Sequence, residues 1–200
     1  MRVLHHAANR GKGCAIRTGL AAARGRFVVV QDADLEYDPR ELPGLLEPLP
    51  AGTAQVVYGS RYLKGTTHVN GPGDANGGRN RKGGWDARGP RGGDNGRLFR
   101  HGVRLLNLVV RLLYGVRLTD VATCYKMLPT ELMRRLDRQC ARFEFCPELT
   151  AKLCRLGIPI VERPISYVPR GKSEGKKLRL RNGWSALATL WRYHRWRGGE

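Results

Sequence analysis

Along its first 60 residues the chain alternates short apolar runs with stretches of helical spacing. Arg2–His6 reads as a short strand, and Asn9-Arg-Gly-Lys-Gly13 as the turn after it. Cys14–Ala23 carries Ala and Leu at helical spacing, and Gly25 stops it. Phe27–Val30 predicts a buried strand that runs into an acidic loop. Asp38 at an N-cap, Pro39 at the first helical position and Glu41 in a capping box open a helix to about Leu49. Gln55–Tyr58 gives another strand, ending in Gly59-Ser60-Arg61. Strand alternating with helix predicts an α/β fold whose mostly parallel sheet is covered on both faces.

From Lys64 to Gly96 this pattern lapses. Gly, Asn, Arg, Asp and Pro dominate, and Val69 and Trp85 are nearly alone as apolar residues. Burial there cannot offset the entropy of ordering, so residues 64–97 are expected to form a flexible Gly/Arg-rich insertion, or one ordered by a ligand. Leu98–Tyr114 then reads as a helix with Leu98, Gly102, Leu105, Val109 and Leu112 on one face and Arg97, Arg100, Arg104 and Arg111 opposite. Asn182–Trp196 is a second such helix, mixing Trp184, Leu187, Leu190, Trp191 and Trp196 with Arg192, Arg195 and Arg197. An apolar stripe backed by arginines fits a helix lying in a membrane interface, and tryptophans favour the water–lipid boundary. A core-facing helix with a solvated basic side fits the first stripe equally well. Between the two lie a turn at 118–121, a strand-like Thr123–Leu128, helices at Thr130–Leu136 and Pro147–Leu156, and a last strand, Ile158–Val161, closed by Pro164. Nothing repeats, and residues 1–200 read as a single domain.

Charge changes the picture. The chain has 36 Lys+Arg against 17 Asp+Glu, a formal net charge of +19, which points to polyanions: nucleic acid, an anionic lipid surface or phosphorylated substrates. A GC-rich genome would also enrich arginine. The five cysteines are odd in number and form no Cys-x-x-Cys pair, which argues against zinc and for free thiols in a reducing compartment. No secretory signal opens the chain, and no apolar run approaches the ~20 residues of a membrane span.

Candidate chemistry starts at Asp32 and Asp34. In extended backbone, residues i and i+2 share a side, so both acids are expected to face one point beyond the strand end. Open α/β sheets bind their ligands there. Two hard oxygen donors suit Mg²⁺ or Mn²⁺ shared with water and a nucleotide diphosphate; a capping Asp beside a solvated one has the same sequence. Arg61, at a strand end, suits bidentate phosphate contact or a surface ion pair. Arg170, Lys172, Lys176, Lys177 and Arg179 are opposed only by Glu174. Ser173 adds a hydroxyl there, and Gly171 and Gly175 let the backbone close over a ligand. The cluster reads as a lid on a diphosphate, a lipid phosphate or both, with a solvated basic loop as the alternative. Residues 9–13 lack the glycine spacing and the Ser/Thr of a P-loop, and the histidines show no ligand spacing.

Five motifs occur in order: Asn9-Arg-Gly-Lys-Gly13, Gln31-Asp-Ala-Asp-Leu-Glu-Tyr-Asp-Pro39, Gly59-Ser-Arg61, Asp120-Val-Ala-Thr-Cys-Tyr-Lys126 and Glu174-Gly-Lys-Lys177. Together they resemble the inverting family-2 glycosyltransferases that move a sugar from a nucleotide-sugar onto a polyprenyl phosphate, such as dolichyl-phosphate mannose synthase. The resemblance covers nearly all of the chain outside 64–96. It implies an enzyme of GT-A type, a Rossmann-like three-layer sandwich. Glucose or mannose would pass from UDP-glucose or GDP-mannose to the polyprenyl phosphate with inversion, at the cytoplasmic, inner face of a membrane to which the protein is peripheral. It further implies that Asp32 and Asp34 flank the metal and donor diphosphate, with Glu36 as a third oxygen donor and Lys12 near the donor. Asp120 and Lys126 match a motif whose expected role is a buried structural pairing. A phosphate monoester is already anionic near neutral pH, so no general base is needed and no Ser-His-Asp or Cys-His constellation is expected.

The sequence departs from the family pattern at two places. The family's first strands and its Asp-Asp-Gly-Ser run do not occur, so the chain is expected to be N-terminally truncated relative to it. Cys146-Pro147-Glu148 stands where Glu-Pro-Glu is common. One alternative is therefore an inactive homologue that binds anionic lipid. A basic nucleic-acid-binding protein is another, disfavoured because such a binder has no use for paired carboxylates.

Overall fold

The chain, as a computed structural model, is described at residues 2–34, 36–63, 68–70, 94–136, 139–168 and 180–198. Its elements run α1 (Lys12–Ala22), β1 (Phe27–Val29), α2 (Leu42–Leu46), β2 (Val56–Ser60), β3 (His68–Asn70), α3 (Asp94–Tyr114), β4 (Lys126–Pro129), α4 (Thr130–Arg135), α5 (Phe145–Arg155), β5 (Ile160–Pro164) and α6 (Leu180–Tyr193). The sheet order is β1-β4-β2-β5-β3. β2 and β5 pair in parallel, β4 lies antiparallel between β1 and β2, and β3 lies antiparallel against β5.

β1, β2 and β5 thus share one direction, while β4 and β3 oppose it, so the mostly parallel sheet expected from the alternation is corrected to a mixed one. The loop before β4 supplies the reason. Ser60 and Thr119 share a hydroxyl hydrogen bond of 2.6 Å, and Asp120 grips Arg61, so residues 119–120 are tied to the end of β2. A strand that starts from that end must run back against β2; a parallel one would need a crossover to the other end.

Side chains alternate across the sheet and build a core on each face. Val56, Tyr58, Leu128 and Ile160 face a layer that includes Leu20, Val110, Leu149, Leu153 and Leu190 from α1, α3, α5 and α6. Val57, Met127 and Val161 face the opposite way, onto Tyr37, Leu45 and Leu49 around α2. This is the expected three-layer sandwich.

Local expectations fail where the stabilising partner is distant. Residues 2–6 join no strand; Arg2 donates to Ala22 O and His6 bonds Thr18 Oγ1, so the segment follows α1. Asp38 caps through Arg40 N at 3.0 Å, but Glu41 does not close the box. Its carboxylate accepts from Ser166 N at 2.8 Å instead, and Pro39–Glu41 forms a 3-10 turn ahead of a helix that ends at Leu46. Within 64–97, His68–Asn70 pairs with β5 and residues 94–97 belong to α3; the rest lies outside the described residues.

α3 carries two apolar faces. Val103 and Val110 are buried, with Leu106 and Leu113 packed beside them. Leu105, Leu108 and Leu112 are 48–73% exposed, so much of the expected stripe looks outward. α6, packed against α3, divides in the same way: Leu190 and Tyr193 are buried, while Trp184 and Trp191 are 74% and 64% exposed. Among the described residues no helix is long and apolar enough to cross a membrane.

Candidate active site

Lys12 is positioned by the glycines on either side of it. Gly11 has φ +88°, and a Cβ there would sit 2.5 Å from Ala141 O; one on Gly13 would sit 2.1 Å from Cys140 O. Glycine alone lets the start of α1 approach the 140–141 backbone so closely. From this start Lys12 Nζ donates to Asp32 Oδ2 at 2.7 Å and to Cys124 Sγ at 3.1 Å. Cys124 in turn donates to Asp32 Oδ2 at 2.8 Å, closing a triangle of ammonium, thiol and carboxylate. The Lys12 and Asp32 side chains keep 16% and 25% exposure, so the triangle is open to solvent. Burial works against the Lys12 ammonium, but Cys124, Cys146 and Asp32 outweigh it and hold its pKa above that of an ordinary lysine.

β1 stops at Val29 and the chain bends at 33–34, so the alternation argument lapses before it reaches Asp34. Asp34 Oδ1 instead accepts from Glu36 N at 3.2 Å, a turn closed by an Asp side chain. Gln31 steadies the loop: its Nε2 donates to Asp32 O at 2.7 Å, and its Oε1 accepts from Tyr125 OH. Glu36 does not join the acids. It is buried and accepts from Tyr167 OH at 3.2 Å, which corrects its expected role as a third metal ligand. Among the described residues no three His, Cys, Asp or Glu side chains gather as a cation site.

Arg61 is sealed. Its Nε and Nη2 donate to the two Asp120 oxygens at 2.7 and 2.8 Å, and its backbone N adds a third contact at 3.1 Å. The side chains of the pair are 4% and 0% exposed. Rings of Tyr62, Phe99 and Tyr167 surround the guanidinium at 5.0–5.6 Å. Its fork is spent on Asp120, so neither phosphate contact nor a surface ion pair describes Arg61. Glu162 completes the anchor by accepting from Thr119 N and Asp120 N at 2.8 and 3.1 Å.

Lys126 does not pair with Asp120 either. It is fully buried, donates to Val121 O at 3.0 Å and Thr150 Oγ1 at 3.3 Å, and lies 3.5 Å from the Tyr58 ring centre. Burial pushes its pKa down to about 8.

Sequence reasoning does not single out Cys124 or Val168, whose roles depend on remote partners. Val168 N donates to Glu36 O at 3.0 Å, fastening the chain after β5 to the acidic loop two residues before Arg170. Arg170, Ser173, Lys176, Lys177 and Arg179 themselves lie outside the described residues. Beside the loop opens a cavity of about 580 Å³ lined by Arg2, His5, His6, Asn9, Arg10 and Lys12, with no acid among its described lining residues. Among the described lining residues, Lys12 joins it to the carboxylate loop.

Known proteins share this arrangement of sequence and fold. Residues 1–101 match the family described as Glycosyl transferase family 2. The chain is 31% identical over 183 residues to an undecaprenyl-phosphate mannosyltransferase of Micrococcus luteus, covering 88% of this chain and 64% of that protein. It is 35% identical over 72 residues to a dolichol-phosphate mannosyltransferase of Pyrococcus furiosus, covering 36% of this chain and 20% of that one. The chain therefore spans less than two thirds of the length of these relatives. Its fold is similar to that of glucosyl-3-phosphoglycerate synthase from Mycobacterium tuberculosis, crystallised with Mn²⁺, UDP and phosphoglyceric acid. There the TM-score is 0.60 at 19% identity, covering 94% of this chain and 55% of that chain.

Proposed function

The chain belongs to glycosyl transferase family 2, and from that premise we propose that it passes a hexose, glucose or mannose, from a nucleotide-sugar to a polyprenyl phosphate with inversion. The names of the two mannosyltransferase relatives support the acceptor class. The observation that carries the reading is the Lys12–Asp32–Cys124 triangle, open to solvent beyond the end of β1.

Asp32 and Asp34 fit a divalent ion that draws its other ligands from water and substrate phosphates, as Mg²⁺ does and as Mn²⁺ can. Asp34 is the first choice as direct ligand, because Asp32 Oδ2 already receives Lys12 and Cys124. When bound, such an ion offsets the charge growing on the departing diphosphate more in the transition state than before it. Lys12 adds a fixed cation at the same place, positioned before the reaction begins.

The acceptor phosphate attacks as an anion without a base, so the chain must hold two phosphates in line without neutralising the nucleophile. In this reading Arg170, Ser173, Lys176, Lys177 and Arg179 do so. The Val168–Glu36 hydrogen bond supports it, because the chain departs towards those residues from the acidic loop itself. Arg61 acts as an internal strut that holds the loop at 119–120.

The lipid acceptor calls for a membrane surface. Leu105, Leu108 and Leu112 on α3 and Trp184 and Trp191 on α6 are exposed beside Arg104, Arg111, Arg192 and Arg195. Such faces suit peripheral docking on an anionic leaflet, here the inner, cytoplasmic one. The test is transfer from labelled UDP-glucose and GDP-mannose to a short polyprenyl phosphate, with Mn²⁺ and with chelator. Metal-dependent transfer from one donor is expected. Transfer that persists in excess chelator would remove the metal, and failure with both donors despite lipid binding would favour a non-catalytic lipid binder.

A further inference from the structure

We propose that Cys124 and Tyr125 are the positioning residues of the acidic loop, holding Asp32 and its neighbours in the arrangement that receives the donor diphosphate and its ion. The two segments lie 92 to 94 residues apart in sequence. The fold sets this dipeptide, the last two residues before β4, against the loop at three points. Cys124 Sγ donates to Asp32 Oδ2 at 2.8 Å and accepts from Lys12 Nζ at 3.1 Å. Cys124 N donates to Tyr37 OH at 3.4 Å. The Tyr125 hydroxyl donates to Gln31 Oε1, and its ring packs on that of Tyr37 with centres 4.8 Å apart. Residues 31, 32 and 37 are thus all held from one place, and Asp34 lies between them.

Hydrogen-bond chemistry fixes the direction of the Gln31 link. Asp32 O can only accept, so the Gln31 amide must turn its Nε2 towards it, at 2.7 Å. The amide oxygen then faces Tyr125, whose phenol must donate. The buried tyrosine therefore steadies the main chain of Asp32, while Cys124 and Lys12 steady its side chain. Among the described residues every contact to the Asp32 carboxylate falls on Oδ2, so Oδ1 is the oxygen it offers a ligand. The dipeptide is itself fixed from behind: Tyr125 O accepts from Gly59 N at 2.8 Å, and Lys126 pairs with Tyr58 in the sheet. The place of the acidic loop is thereby set by β2 and β4 as well as by the three-residue β1 that it follows. A carboxylate held in this way needs no reorganisation when its ion arrives. The effect on donor binding rests on the proposed function; the hold on the loop does not.

Hydrogen–deuterium exchange of the full chain reads the hold without any ligand. In Tyr125→Phe and in Cys124→Ala the amides of residues 31–37 should exchange several-fold faster, with β2, β4 and β5 protected as before. Unchanged exchange in the loop, or a rise spread over the whole sheet, overturns the proposal. Calorimetric titration of UDP and GDP with Mn²⁺ then reads the coupling to the donor. Binding should weaken roughly two- to tenfold in Tyr125→Phe, the range for one neutral hydrogen bond, and about tenfold in Cys124→Ala, which removes a bond to a charged group. Cys124→Ser, whose hydroxyl both donates and accepts, should recover most of that loss. A serine variant as weak as the alanine one, or Tyr125→Phe binding as tightly as the unaltered chain, overturns the coupling. Binding by no form, the unaltered chain included, counts against the proposed function, while exchange still decides the hold on the loop.

Discussion

Lys12–Asp32 and Arg61–Asp120 are both cation–carboxylate pairs with a closest contact of 2.7 Å, yet they sit in opposite surroundings. The first keeps 16% and 25% exposure; the second has 4% and 0%. Water and ligand can reach the first pair, so its charges remain available for exchange. The second is enclosed by aromatic rings and backbone, and separating it would leave a charge stranded in the interior. Surroundings rather than residue type make one pair a candidate binding element and the other a fastening for the loop that turns β4 around.

The sharpest way to break this contrast is to remove one partner of each pair. Asp120→Ala should lose about 3–5 kcal/mol of stability in urea unfolding, because Arg61 is left uncompensated. Asp32→Ala should lose under ~1 kcal/mol by the same measurement, as partly solvated pairs do. Comparable losses at the two sites would erase the distinction. Asp34→Ala sharpens the functional side. Hexosyl transfer should fall by roughly 10²–10³-fold, the scale for removing one preorganised electrostatic group, with the unfolding midpoint unmoved. Unchanged turnover would take the acidic loop out of the chemistry.

Two lysines extend the contrast to pH. Lys126 has a folded-state pKa near 8 against an ordinary value of 10.5. Below about 8 both states hold the proton and the folded state bears the full penalty of a buried cation. Between about 8 and 10.5 the unfolded state binds more protons, so stability should rise with pH, by on the order of 3 kcal/mol. Lys12, held above its ordinary pKa, acts with the opposite sign: its unfolded state loses the proton first, so its contribution is intact through most of that window and falls only as pH nears and passes 10.5. Lys126→Met should flatten the rise in unfolding free energy, and an unaltered profile would show that another group titrates. The smallest effect on folding is expected on the outer face of α3. Leu112→Glu should shift stability by less than ~0.5 kcal/mol yet weaken sedimentation with anionic vesicles several-fold. Val110→Glu, on the buried face of the same helix, should instead impair folding.

Much of the architecture is legible in local pattern. The helices near residues 12–22 and 145–155 and the strands at 27–29 and 56–60 follow from period, glycine stops and a capping aspartate, each acting over a few residues. The acidic loop is legible as well, because a buried run ending in two carboxylates is a conflict within a single stretch of chain. Its motifs name the family. Other features depend on partners far away in sequence. Arg61 meets Asp120 across 59 residues, Cys124 meets Asp32 across 92, and Tyr167 meets Glu36 across 131. No propensity or spacing contains those terms. The chain by itself therefore determined which segments form and where charge gathers. The tertiary structure decided which charges are sealed and which stay open, because burial depends on what other segments pack against each residue.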